Sequence, residues 1–198
     1  MRALVFALIL LAPATLLAQG LPSSDPRVRA AERYQTKTWS PAGPAVTGWS
    51  PDVFKVAGWD RLRVKIDARQ AEAHVDLARR TEAKAETKNP RPQARLRIRR
   101  HATSKAARDA TLAHLAACTV TLEREEGFGE VAFSIRARGE LVYLVGVRGD
   151  LSYTLRANGP GGVEAVAAAL DAQLRLASKA PKATGAAAET TTKNELKK

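Results

Sequence analysis

The stretch SIRARGELVYLVGVRGDLSYTLRA, residues 134–157, constrains the fold more than any other part of the chain. It reads as two consecutive strand–turn–strand units. Each turns at Arg-Gly followed by an acid, first Arg138-Gly139-Glu140 and then Arg148-Gly149-Asp150. Glycine supplies the positive φ that a tight hairpin needs. Val131, Phe133 and Ile135 alternate onto one face of a strand over 130–137, and Leu151, Tyr153 and Leu155 do the same over 150–157. The segment between them, 140–147, is apolar on both faces, the mark of a central strand covered on both sides. Arg148-Gly149-Asp150 also spells an adhesion tripeptide. The first turn has the same chemistry without the motif, so the turn accounts for the tripeptide.

Alternation extends the sheet upstream. Leu62, Val64 and Ile66 alternate with Arg61, Arg63 and Lys65 over 61–67, and Leu96 and Ile98 alternate with Arg95, Arg97 and Arg99 over 94–101. Residues 72–80 are mixed: their alanines favour helix, while Val75 and Leu77 between polar neighbours favour strand. The reading adopted is a strand pairing back on 61–67. A short strand is expected over 119–125. Two helices complete the pattern. One spans about 104–117, capped by Thr103 or Ser104 with Leu112 and Leu115 on its buried stripe. The other spans about 162–177, where Val163, Val166, Ala167, Leu170 and Leu174 recur at helical spacing. Strands and helices do not alternate strictly. The expected class is therefore α+β, an antiparallel β-sheet packed by two helices.

The ends of the chain read differently. Residues 1–18 have Arg2, an apolar run and a small residue at Ala18, the pattern of a secretory signal peptide. Residues 19–38 read as a flexible leader, 39–178 as one domain, and 179–198 as a disordered tail with almost no large apolar residue. No later stretch approaches the ~20 apolar residues of a membrane span. The chain is thus expected to be exported, periplasmic or secreted, with no transmembrane segment after cleavage. The single cysteine, Cys118, excludes an intramolecular disulfide framework and reads as a buried small hydrophobe.

The formal charge of +12 is concentrated in the first half. Residues 27–101 carry 18 Lys and Arg against 8 acids, and residues 102–198 carry 13 against 11. Two cationic rows stand out, Arg61, Arg63, Lys65 and Arg95, Arg97, Arg99. If their strands share a sheet face, the rows form one surface that attracts polyanions. A solvated strand face that discourages edge pairing is the commoner explanation of such rows. A quasi-repeat, WSPAGPAVTG followed by WSPDVFKVAG, spaces Trp39, Trp49 and Trp59 ten residues apart. The rings either cover an edge of the core or offer a stacking platform to a sugar or peptide. His74, His101 and His114 have no metal-ligand spacing, Glu123, Glu125 and Glu126 read as a solvated turn, and no serine lies in a nucleophile elbow. No catalytic residue, metal or cofactor is assigned.

One resemblance is present. Gly129-Glu130-Val131-Ala132, Val147-Arg148-Gly149-Asp150 and Ala168-Ala169-Leu170-Asp171 resemble pieces of the C-terminal half of small exported bacterial modules, similar in shape to the PsbP/Mog1-like fold. The likeness covers residues 128–176 and departs from the pattern at Glu130 and Asp150. It implies a small sheet-and-helix domain that binds or assists other molecules, and it carries over no catalytic residue. The sequence reading is therefore a non-catalytic binding or accessory module. The binding candidates are Arg61, Arg63, Lys65, Arg95, Arg97, Arg99, Trp39, Trp49 and Trp59. The expected partner is an anionic envelope component or an acidic protein. Nucleic acid is disfavoured because no aromatics interleave the Arg rows. The alternative is an exported hydrolase whose site assembles only in three dimensions.

Overall fold

The computed structural model describes residues 25–80, 93–159 and 161–179. The signal-peptide expectation for 1–18 lies outside the described residues, as does the tail expectation for 179–198 apart from Lys179, which ends the last helix. The order is α1 (Pro26–Arg33), β1 (Trp59–Asp67), β2 (Glu72–Arg79), β3 (Ala94–Arg100), α2 (Ser104–Ala117), β4 (Glu123–Arg124), β5 (Val131–Ala137), β6 (Glu140–Arg148), β7 (Leu151–Ala157) and α3 (Glu164–Lys179). The strands form one seven-stranded sheet in the order β1-β2-β3-β7-β6-β5-β4, antiparallel throughout. The fold is α+β, as the strand pattern predicts.

Side chains alternate across the sheet into two cores. On one face Val75, Leu77, Leu96, Ile98, Leu144 and Leu155 pack under Val166, Leu170 and Leu174 of α3. On the other, Phe133, Val145 and Val147 pack with Ala107 and Leu115 of α2 and with Ala30 and Tyr34 at α1. Leu144, Leu155 and Leu170 are almost wholly buried, each contributing about 1.5–3 kcal/mol relative to an exposed leucine. Leu141 and Leu144 in one core, and Val145 and Val147 in the other, make β6 the doubly covered strand that its sequence predicts.

Three expectations are corrected. Residues 25–38 are not a loose leader: Asp25 caps α1 by accepting from Arg27 N at 2.7 Å, and Tyr34 seats edge-on against Phe133 at 4.9 Å between centroids. The described residues therefore hold three α-helices. The 119–125 strand shrinks to Glu123–Arg124, which pairs only with Phe133 and Ser134. In β1 the register slips between Arg61 and Arg63, so that Arg61 pairs with Leu77 and Arg63 with Asp76. The extra residue, Leu62, turns Arg61 onto the α3 face, away from Arg63 and Lys65.

The two helical layers differ in coverage. On the α1/α2 face, α2 packs over β6 and β7. The same face of β1, β2 and β3 is left without a helix over it among the described residues. Arg63, Lys65, His74, Arg95, Arg97 and Arg99 are accordingly exposed.

Candidate anion-binding cleft

Register determines how the uncovered face is built. Residues that pair across antiparallel strands share a face, and neighbouring strands lie about 4.8 Å apart. Three cross-strand rows follow. The first runs Arg63, Asp76, Arg95, Arg156 and Tyr143 from β1 to β6. The second runs Lys65, His74, Arg97 and Thr154, and the third Asp67, Glu72, Arg99 and Ser152. The two cationic rows predicted from sequence do share one face, without Arg61. They are not adjacent, because β2 lies between them and inserts Glu72, His74 and Asp76.

That insertion changes the electrostatics. Glu72 is 4% exposed, and its carboxylate accepts from Arg97 Nη2 and His74 Nε2, each at 2.7 Å. Burial alone would push this carboxyl up. The hydrogen bonds and charges of Arg97 and His74 outweigh that effect and hold it below the ordinary carboxylate value. Arg97 is in turn held more firmly protonated, chiefly by its hydrogen bond to Glu72. Arg95 Nε lies 3.1 Å from Asp76. Arg63, Lys65, Arg99 and Arg156 make no ion pair among the described residues. The face therefore carries unpaired Arg63 and Lys65 on β1 and unpaired Arg156 on β7, with paired Arg95 and Arg97 and unpaired Arg99 on β3 between them.

A cleft of about 430 Å³ occupies this face, lined by Arg63, Lys65, Arg95, Arg97 and Arg156, with Asp76 as its lining carboxylate. Its wall is His114 of α2 with Tyr143 of β6. Nε2 and Oη are 2.6 Å apart, and the rings lie 29° from parallel. Burial, then the Arg97 charge, pushes the His114 imidazole toward its neutral form. A smaller recess of about 120 Å³ continues under α2 past Thr111, Arg99 and Ser152.

The other sequence candidates lie elsewhere. Arg61 donates to the carbonyls of Pro51 and Asp52 on the α3 face. Each tryptophan is 9% exposed. Trp39 packs near Phe133 on the α1/α2 face and donates Nε1–H to Tyr34 O at 2.9 Å. Trp49 packs near Phe54 on the α3 face, and Trp59 lies there with the Arg79 guanidinium 5.3 Å from its ring centre. The rings are divided between opposite sides of the sheet, so the stacking platform does not form. In the adhesion-like tripeptide, Arg148 donates to Asp171 at 2.6 Å, and Asp150 accepts from Arg100 at 2.5 Å and from Val46 N at 2.8 Å. Both side chains are committed to internal partners. Glu125 pairs with Arg136 at 2.9 Å, a tie that holds its carboxyl low. Cys118 is half-buried, and burial pushes its thiol up, away from the reactive thiolate.

Sequence reasoning missed Arg156, Tyr143, His114 and the β2 side chains as parts of the site. Alternation already placed Ser152, Thr154 and Arg156 opposite Leu151, Tyr153 and Leu155. What it lacked was the β3–β7 pairing that brings Arg156 beside Arg95. No protein-family model, no curated protein and no solved structure matches the chain.

Proposed function

We propose that the chain is an exported, non-catalytic binding module that holds an anionic ligand in the cleft beside α2. Export rests on the signal-like pattern of residues 1–18. The binding reading rests on one observation: five Lys and Arg side chains from β1, β3 and β7 converge on one open cleft, and Arg63, Lys65 and Arg156 among them have no acidic partner in the described residues. An anionic envelope component or an acidic surface supplies the missing charge. A solvated strand face needs no cleft and no aromatic wall.

The variant set follows from the ion pairs. Arg97 satisfies the buried Glu72, so removing it perturbs the fold as well as the surface. The combination Arg63→Ser, Lys65→Ser, Arg99→Ser and Arg156→Ser removes charge while leaving the ion pairs among the described residues intact. Titration of the full chain with a fluorescent sulfated polysaccharide should show binding that weakens at least tenfold between about 0.05 and 0.5 M salt. The fourfold variant should bind at least tenfold more weakly at low salt with its melting temperature nearly unchanged. Equal affinity in the variant, or indifference to salt, would exclude the cleft as the binding site.

The hydrolase alternative has one observation in its favour, the His101 Nε2 to Ser152 Oγ contact of 2.8 Å. Burial, then the Arg99 charge, favours the neutral imidazole that a general base requires. Asp150 of the β6–β7 turn, whose backbone carbonyl accepts from His101 N, gives its carboxylate to Val46 N and Arg100 instead. Among the described residues no carboxylate hydrogen-bonds the imidazole to orient it. Binding is therefore the reading adopted, and ester hydrolysis abolished by Ser152→Ala would reverse it.

A further inference from the structure

The arrangement of charge across the strands specifies the ligand more closely, given that the cleft binds anions as proposed above. A bare row of cations would suit a continuous polyanion such as polyphosphate. Here the row Arg63, Asp76, Arg95 and Arg156 reads plus, minus, plus, plus, and its neighbour is Lys65, His74, Arg97 and Thr154. The unpaired cations of β1 and those of β3 and β7 are separated by β2. Strand spacing puts Arg63 about 10 Å from Arg95 and about 14 Å from Arg156 at the backbone. Over that middle strand sit a carboxylate, Asp76, and an imidazole, His74. Asp76 pairs with Arg95 through Oδ1 and His74 with Glu72 through Nε2, which leaves Asp76 Oδ2 as the acceptor that a neutral donor could reach, while the Asp76 charge repels a third anionic group. At the β7 end the cleft closes on the hydrogen-bonded pair Tyr143 and His114.

We infer that the ligand is an acidic glycan lying across the strands, with two sulfate or phosphate groups separated by a neutral, hydroxyl-bearing middle. One anionic group sits between Arg95 and Arg156 beside the Tyr143 wall. The other sits on Arg63 and Lys65. The sugar hydroxyls between them donate to Asp76. A span of about 10–14 Å is the length of two or three sugar rings, and the cleft of about 430 Å³ has room for a segment of that size.

The test is a pair of probes that respond in opposite directions. The full chain is titrated at low salt with a heparin-derived tetrasaccharide, which carries sulfates and hydroxyls, and with linear inorganic polyphosphate of matched charge, which has no hydroxyls. Vesicles of anionic phospholipid form a third arm. The unsubstituted chain should bind the tetrasaccharide about tenfold more tightly than polyphosphate and should not co-sediment with the vesicles. Asp76→Asn should strengthen polyphosphate binding several-fold by removing repulsion, and weaken tetrasaccharide binding several-fold by removing the hydroxyl acceptor. Arg63→Ser and Arg156→Ser should each weaken the tetrasaccharide, with additive losses in the double variant because they hold separate groups. If Asp76→Asn strengthens both probes alike, or if polyphosphate or vesicles bind at least as well as the tetrasaccharide, the glycan assignment fails and anion binding stands. If no anionic probe binds, both fail.

Discussion

Gly149 shows how one residue can carry two separate constraints. It has φ +52° and is the first of two turn residues between β6 and β7. A Cβ there would also collide with the Pro44 carbonyl, which is backbone and has no alternative rotamer. The other hairpin uses its glycine differently. Arg138 and Gly139 both have positive φ, and the space around Gly139 is open. The two Arg-Gly-acid triplets thus sit one residue apart relative to their turns, and only one glycine faces a collision. Gly149→Val should therefore cost about 2–4 kcal/mol, adding φ strain to the clash, while Gly139→Val should cost about 1–2 kcal/mol from strain alone. Chemical denaturation of both variants checks the order. Equal stability of the Gly149 variant and the unsubstituted chain would count against this turn geometry.

At the scale of elements, legibility followed from how local each determinant is. The α2 bounds Ser104–Ala117 coincide with the range predicted from the cap at Thr103 and the alanine-rich run that follows. Alternation located β1, β3, β5 and β7 to within a residue or two, because each buries one regular face, and the run apolar on both faces located β6. Two features were not legible for a physical reason. The register slip at Leu62 leaves the alternation of LRVKI intact in sequence and reveals itself only against β2. The helix α1 has a polar composition, with Ala30 its only buried residue, so its anchoring depends on Tyr34 and Trp39 just beyond its end. The site divided along the same line. Its cationic rows were readable one strand at a time, but the β2 acids between them and Arg156 beside them depend on strand order. The docking of α1 yields a prediction. Tyr34 packs on Phe133 and accepts a 3.4 Å hydrogen bond from Leu122 N. Tyr34→Ala should destabilise the chain by about 3–5 kcal/mol, as for other large aromatic truncations. A loose leader would predict almost no effect, so thermal unfolding of this variant separates the two.

For the whole molecule, the face proposed to bind anions also carries the groups that should make the fold acid-sensitive. α3 covers the opposite side, and three groups whose titration is shifted lie on or beside the open side: Glu72 in the smaller recess, His114 in the cleft wall and His101 just past the end of β3. Their signs can be worked out one by one. Burial lowers His114 and His101 relative to the unfolded chain, so below about pH 6.5 the unfolded state takes up protons that the folded state refuses. Their contribution is full above that pH and is lost as pH falls from there toward the folded-state values. Glu72 is lowered by Arg97 and His74 against its burial, so its contribution is present above the ordinary carboxylate value, near pH 4.3, and is lost as pH falls through its folded value. Acid should therefore weaken the fold in two stages, a histidine stage beginning near pH 6.5 and a carboxylate stage below about pH 4.5. His114→Gln should reduce the first stage and leave the second, since Gln cannot titrate but can still hydrogen-bond Tyr143. Glu72→Gln should do the reverse, at some cost in stability at neutral pH because Arg97 loses its carboxylate partner. Melting temperatures between pH 3 and 8 for the three chains test this, and a histidine stage undiminished in His114→Gln would show that the imidazole in the cleft wall is not held neutral by burial.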